Sequence, residues 1–227
     1  MSELTTYAAA DGVATITLDD GKVNALSPAM LASIGERLDQ AESEGAIVVL
    51  TGRATAFSAG FDLRTPPEGW PEMVEGGARL ASRLLAFPQP TIASCNGSAV
   101  AMGAFLLLAC DVRVGITGEH RIGLNEVAIG MTVPWFGIEL ARHRLAAPYF
   151  DRCTVTGPFL GPEEAQRAGF LDRLVEPDAL RAATGEAACQ LAGLDRAAHA
   201  ATKLRTRGAA LEAMADGVAR FSDGRDW

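Results

Sequence analysis

Residues 46–51, AIVVLT, form an unbroken apolar run of strand length, and this run most limits what the chain can become. A strand apolar on both sides has no face for water. It belongs inside a sheet covered by helices, the usual setting of parallel strands. The neighbouring segments supply such a setting. Val13 to Leu18 alternates apolar and β-branched residues and reads as a strand. Asp19, Asp20 and Gly21 turn the chain. Ser27 is a good N-cap and Pro28 suits the first helical position, so an amphipathic helix is expected from Pro28 to about Glu44, closing at Gly45. Strand, helix and strand in this order point to repeated ββα or βαβ units.

The pattern continues. A small glycine-containing turn spans residues 57–62, a loop is marked by Pro66 and Pro67, and a helix is expected over Trp70 to Ala86. Pro88 and Pro90 precede a buried strand at Thr91 to Cys95, and Asn96-Gly97 signals a turn. Ala99 to Ala109 is rich in alanine and leucine and reads as a buried helix. Asp111 to Val114 returns to strand, residues 121–129 are mixed, and a helix restarts after Pro134. Beyond about Thr156 the chain reads as alanine-rich helix broken at Pro177, Gly193 and Gly208. The expected organisation is an α/β core over residues 1–156 and a helical region over 157–227.

Composition excludes several classes of function. The 227 residues carry a formal net charge of -8, whereas phosphate backbones and anionic membranes call for a basic face. Cys95, Cys110, Cys153 and Cys189 lack CxxC spacing and flanking histidines, so no metal site is expected, and the first two read as buried free thiols. The start of the chain has neither the basic nor the apolar region of a secretory signal, and the run from Ala99 to Cys110 is too short to span a bilayer. A cytoplasmic location is the simplest expectation. No GxxxxGK or GxGxxG is present, and His120, His143 and His199 fall in no Ser-His-Asp order.

Several segments together resemble the crotonase (enoyl-CoA hydratase/isomerase) superfamily. They are Lys22 to Leu26 (KVNAL), Ala56 to Leu63 (AFSAGFDL), Pro90 to Ala93 with Asn96-Gly97, Met102-Gly103 through Cys110-Asp111, and Ile122 to Glu126 (IGLNE). They follow the family's order at nearly its spacing and cover almost the whole chain. IGLNE, with a helix after Pro134, is similar to the catalytic segment of Δ3,Δ2-enoyl-CoA isomerases. DDGKVNAL, AMGAFLL, NEVAIGMT and HAATKLR resemble short actinobacterial-type enoyl-CoA hydratase homologues. The resemblance implies a crotonase/ClpP-like spiral of repeated ββα units. It further implies a C-terminal helical trimerisation region, a homotrimer or hexamer, and an acyl-CoA thioester ligand. Coenzyme A is then part of the substrate, and no separate cofactor is expected.

Proton chemistry beside a thioester needs a base at C2 and donors for the negative charge on oxygen; fixed backbone N–H groups serve the second need well. The resemblance implies that these donors are the N–H groups of Phe61, after Gly60, and Met102, before Gly103. For both glycines the plainer reading is turn geometry and close packing. Glu126 is the base candidate, since its apolar neighbours make a carboxylate costly to bury and raise its pKa; the plainer reading is a solvated carboxylate. The family's hydratases carry a second glutamate at the position held here by Phe105. One carboxylate suits a double-bond shift, whereas hydration normally uses two proton-handling groups. Hydratase chemistry and silent acyl-CoA binding stand as alternatives, the latter prompted by Met102 and Phe105. Asn125 and Glu139 are possible helpers, Glu139 being as readily ion-paired to Arg142 or His143. The resemblance implies backbone CoA contacts from the Lys22 to Leu26 segment, Asn24 and Ala25 included, continued by Ala56 to Ala59. Lys22, Lys203 and Arg205 are candidates for a phosphate, or else solvated surface cations.

Overall fold

The computed structural model describes residues 4–53 and 56–222. Two strands, β1 (Thr5–Ala10) and β2 (Val13–Leu18), pair antiparallel and lead to α1 (Pro28–Ser43), capped by the Ser27 hydroxyl. Three turns of a ββα spiral follow. The first holds β3 (Ile47–Gly52), β4 (Ala56–Ser58) and α2 (Trp70–Ala86). The second holds β5 (Thr91–Cys95), β6 (Ser98–Val100) and α3 (Met102–Ala109), and the third β7 (Val112–Ile116), β8 (Ile122–Gly123) and α4 (Trp135–Arg144). The chain then runs through α5 (Ala147–Val155), α6 (Pro162–Ala168), β9 (Arg173–Val175), α7 (Leu180–Ala192) and α8 (Arg196–Ser222).

The leading strands of each turn, with β1, β2 and β9, form a six-stranded sheet in the order β1-β2-β3-β5-β7-β9. The second strands form a parallel three-stranded sheet, β4-β6-β8. Both faces of the large sheet are covered, as the apolar run at β3 requires. Val48, Leu50, Ala93 and Cys95 enter the main core with α1, α2 and α3, while Ile47, Val49 and Ile92 pack with Ala188 of α7. Side chains alternate between faces along a strand, so a strand apolar at every position feeds two cores at once.

Three expectations need correction. The apolar run from Ala99 to Ala109 is not one helix: its start belongs to β6, and α3 begins only at Met102. A short buried strand and a buried helix share one composition, so hydrophobicity alone does not separate them. Gly208 does not interrupt α8, which packs against α2 and α4 along its length. An interior glycine costs a helix only about 1 kcal/mol, and tertiary packing overrides that. The region beyond Thr156 also contains a strand, β9, which extends the large sheet beside β7. No described helix is long and apolar enough to cross a membrane.

Candidate active site

The parallel sheet β4-β6-β8 organises the site. All three strands run the same way, so the segments that follow them emerge at one end of the sheet. Gly60 and Phe61 follow β4, Ala101 and Met102 follow β6, and Asn125 and Glu126 follow β8. The carboxyl ends of parallel strands are where open α/β folds generally place ligands. Here they gather the proposed donors and the proposed base from segments far apart in sequence.

The two N–H groups owe their direction to identifiable contacts. Leu26 N–H donates to the Gly60 carbonyl at 2.8 Å, and Asp62 N–H donates to the Leu26 carbonyl at 3.2 Å. A trans peptide points its C=O and N–H to opposite sides, so the Phe61 N–H faces away from the Leu26 segment. Gly60 itself adopts a φ of +86°, and its N–H donates to the Ser58 hydroxyl at 3.2 Å. Met102 opens α3, and the first N–H groups of a helix have no partner within it. The two turns touch: a Cβ on Gly60 would lie 3.3 Å from Met102 N. A Cβ on Gly103 would lie 2.5 Å from the Ser58 carbonyl oxygen, so glycine is required there for the turns to meet. Ala101, between β6 and α3, holds a φ of 51° and a ψ of −122°, a strained state for a residue with a side chain. Such strain typically costs about 1–3 kcal/mol and concentrates where function demands it.

Glu126 is 7% exposed, and its Oε2 is buried with no hydrogen-bond partner among the described residues. Burial pushes its carboxyl up to about 7, against the pull of its own backbone N–H. Its segment is anchored through the small sheet, where Ala101 N–H donates to the Gly123 carbonyl at 2.9 Å. The Glu126 carbonyl accepts from Ile129 and Met131, which close a short 3₁₀ turn. Asn125 Oδ1 is likewise buried and unpartnered among the described residues.

The Lys22–Leu26 loop is shaped by two residues, one of which sequence reading passed over as part of a turn. The Asp20 carboxylate accepts from the N–H groups of Lys22, Asn24 and Ala25, at 2.8, 2.8 and 2.9 Å. Its burial works to raise its pKa, but these donors and the nearby Arg64 outweigh that and hold it below the ordinary carboxylate value. The available signal was an aspartate followed within five residues by backbone donors in a DDG turn. Asn24, 1% exposed with a φ of 57°, donates to the carbonyls of Ala56 and Phe57 and so joins the loop to β4. Ser58 was also missed; its hydroxyl donates to the Asn24 carbonyl at 2.8 Å. Ala59 N–H donates to the Val23 carbonyl, while Lys22 is exposed.

Lys203 has a different place from the one expected. Its ammonium is buried and donates to the carbonyls of Phe87 and Gln89 and to Asp111, at 2.7, 3.0 and 2.7 Å. Three bonds use its three protons, which leaves none for a phosphate. Phe105, at the second-glutamate position, is 1% exposed, with its ring 5.6 Å from that of Phe136. A Cβ on Gly137 of α4 would lie 2.5 Å from Phe105 Cζ. Glu139 pairs with Arg142 at 3.4 Å. A groove of about 410 Å³ elsewhere is lined by Asp111, Leu194, His199, Lys203 and Arg207, and it touches neither Glu126 nor the two donor turns.

The comparisons with known proteins agree with this architecture. The family model described as enoyl-CoA hydratase/isomerase matches residues 8–218. An enoyl-CoA hydratase/isomerase family protein from Pseudomonas syringae is 44% identical, with a TM-score of 0.94 and 96% of each chain covered. An enoyl-CoA isomerase from Mycobacterium tuberculosis is 40% identical, with a TM-score of 0.94, covering 98% of this chain and 99% of that one. A putative enoyl-CoA hydratase from Thermus thermophilus is 37% identical over 175 residues, 73% of this chain and 68% of that protein. Fold and sequence together define a crotonase-superfamily protein. The chain belongs to the enoyl-CoA hydratase/isomerase family and is an acyl-CoA-processing enzyme of that family.

Proposed function

We propose that the protein moves the double bond of a 3-enoyl-CoA to the 2 position. Glu126 takes a proton from C2 and returns it at C4. The N–H groups of Phe61 and Met102 form an oxyanion hole for the thioester enolate between the two transfers. The observation that carries this reading is the buried Glu126 carboxylate, which has no charged partner and no hydrogen bond to Oε2 among the described residues and is pushed up to about 7, together with a second-acid position filled by a packed phenylalanine. A base with a pKa near neutrality both takes and returns a proton efficiently. Phe105, sealed against Gly137 and Phe136, has neither a proton to give nor space for water.

The names of relatives do not choose between the two reactions. The M. tuberculosis protein is called an isomerase in one structure and a probable hydratase in another. Incubation with 3-enoyl-CoA and, separately, 2-enoyl-CoA in deuterated water, read by mass spectrometry, makes the choice. Isomerisation yields 2-enoyl-CoA carrying solvent deuterium at C4, with exchange at C2 of the 3-enoyl-CoA that re-forms from the enolate. Substantial 3-hydroxyacyl-CoA from the 2-enoyl thioester would replace this reading with hydration. Tight binding without exchange would mean a silent binder.

The same reading carries a homotrimer or hexamer. Val127, Ile129, Trp135 and Leu204 are large apolar side chains left exposed on the single chain, which supports self-association. Sedimentation at micromolar concentration is expected to give a trimer or its double; a persistent monomer would remove that part of the proposal.

A further inference from the structure

An interior glycine weakens a helix, yet α2 carries two in succession, Gly76 and Gly77. Their surroundings differ. A Cβ on Gly76 would meet Leu31 Cδ1 at 3.5 Å, an ordinary contact. A Cβ on Gly77 would stand 2.5 Å from Phe61 Cζ, 2.7 Å from Phe61 Cε1 and 3.2 Å from Met102 Sδ. The two residues whose N–H groups face the proposed oxyanion thus rest their side chains on one bare spot of α2.

We infer that Gly77 is a positioning residue that sets acyl-chain length, because its missing side chain seats the Phe61 ring against α2 and keeps that ring out of the path of the acyl chain. The inference rests on the enolate reading for the place of the thioester. Carbon atoms in contact lie about 3.5–4.0 Å apart, so a methyl group at Gly77 drives the ring back by roughly 1 Å. The ring has one direction to yield. Met102 is fully buried, and Ala78 and Leu80 of α2 are buried beside Gly77, whereas Phe61 is only partly buried. Displaced from α2, the ring yields toward its partly exposed side, and we place there the carbons beyond the thioester. A short acyl chain stops before that space and a long one needs it.

The test compares binding of hexanoyl-CoA and dodecanoyl-CoA by isothermal titration calorimetry in wild type, Gly76→Ala, Gly77→Ala and Gly77→Ala with Phe61→Leu. Gly77→Ala is expected to lower the long-to-short affinity ratio by about tenfold, the size of effect that one crowding methyl group has in a closed apolar pocket. Phe61→Leu in that background returns most of the ratio, since leucine ends short of the ring's far edge. Gly76→Ala leaves the ratio at its wild-type value. Partial unfolding lowers binding stoichiometry and leaves the ratio alone, so a merely structural glycine does not reproduce this pattern. An unchanged ratio in Gly77→Ala, or a lowered one that Phe61→Leu fails to restore, overturns the inference. Deuterium exchange at C2 of a 3-enoyl-CoA, measured on wild type in parallel, reports on the enolate reading itself: its absence sinks that reading and with it the placement of the thioester, whereas exchange beside unchanged binding ratios sinks the role of Gly77 alone.

Discussion

Glu126→Gln removes deuterium exchange at C2 of a 3-enoyl-CoA, with an expected loss of about 10²–10⁴-fold, the usual contribution of a positioned general base. Glutamine keeps the shape of the side chain and cannot accept the proton, so acyl-CoA affinity stays near wild type. Retained turnover in the variant would move the base to another residue. Wild-type exchange rises with pH through about 7, because the carboxylate must be ionised to act and burial holds its proton to that point. The same substitution has a stability signature of defined sign. The folded pKa of about 7 lies above the ordinary value of 4.5, so between these values the folded state binds more protons than the unfolded one. Wild-type stability therefore falls as pH rises through that window, by up to about 3 kcal/mol, and the neutral glutamine escapes this loss. Urea titrations at pH 5 and pH 8 read the difference: the wild-type value drops relative to that of Glu126→Gln. Equal pH dependence in the two proteins would mean that water reaches the Glu126 carboxylate.

Alternation of strands and helices is legible in this sequence because both periodicities are strong. The helix over Trp70–Ala86 and the strand over Thr91–Cys95 lie where their patterns place them. β6 and β8 escape because three residues or fewer carry no period, and their apolar content is shared with α3. Phe61 and Met102 stand out only through a resemblance spread over the chain, and Glu126 through that resemblance and its apolar neighbours. Their segments follow three strands of one parallel sheet that no local pattern announces. Asp20 shows only as part of a turn, and the Ser58 hydroxyl and Gly77 are invisible, for a related reason. Each acts on atoms elsewhere in the fold, and a single aspartate, serine or glycine in a row of letters does not say which atoms those are. Lys203 misleads in the opposite sense. A lysine on an alanine-rich helix looks solvated until the helix is docked.

That docking is the source of the second large effect. Asp111, just beyond the end of α3, meets Lys203 at 2.7 Å and Arg207 at 2.7 Å, both from α8, with His199 at 3.6 Å. It also accepts from the N–H of Thr91 at 2.8 Å. Its partners fare unequally. Burial works to raise the Asp111 pKa, but Lys203 and Arg207 outweigh it and hold the carboxyl below its ordinary value. Burial lowers the Lys203 ammonium, Asp111 offsets part of this, and Arg207 adds repulsion. One carboxylate thus satisfies itself twice over while each cation receives only a share. Removing the shared partner leaves two buried cations uncompensated, whereas removing Lys203 leaves Asp111 still paired with Arg207. Asp111→Asn is therefore expected to lose about 3–5 kcal/mol, the range for breaking a buried ion pair, and Lys203→Met distinctly less. Urea denaturation with unchanged slopes measures both. If the two variants lose equal amounts, the charges act as independent pairs. If neither loses stability, α8 is held by its apolar contacts with α2 and α4, chiefly around the fully buried Met214.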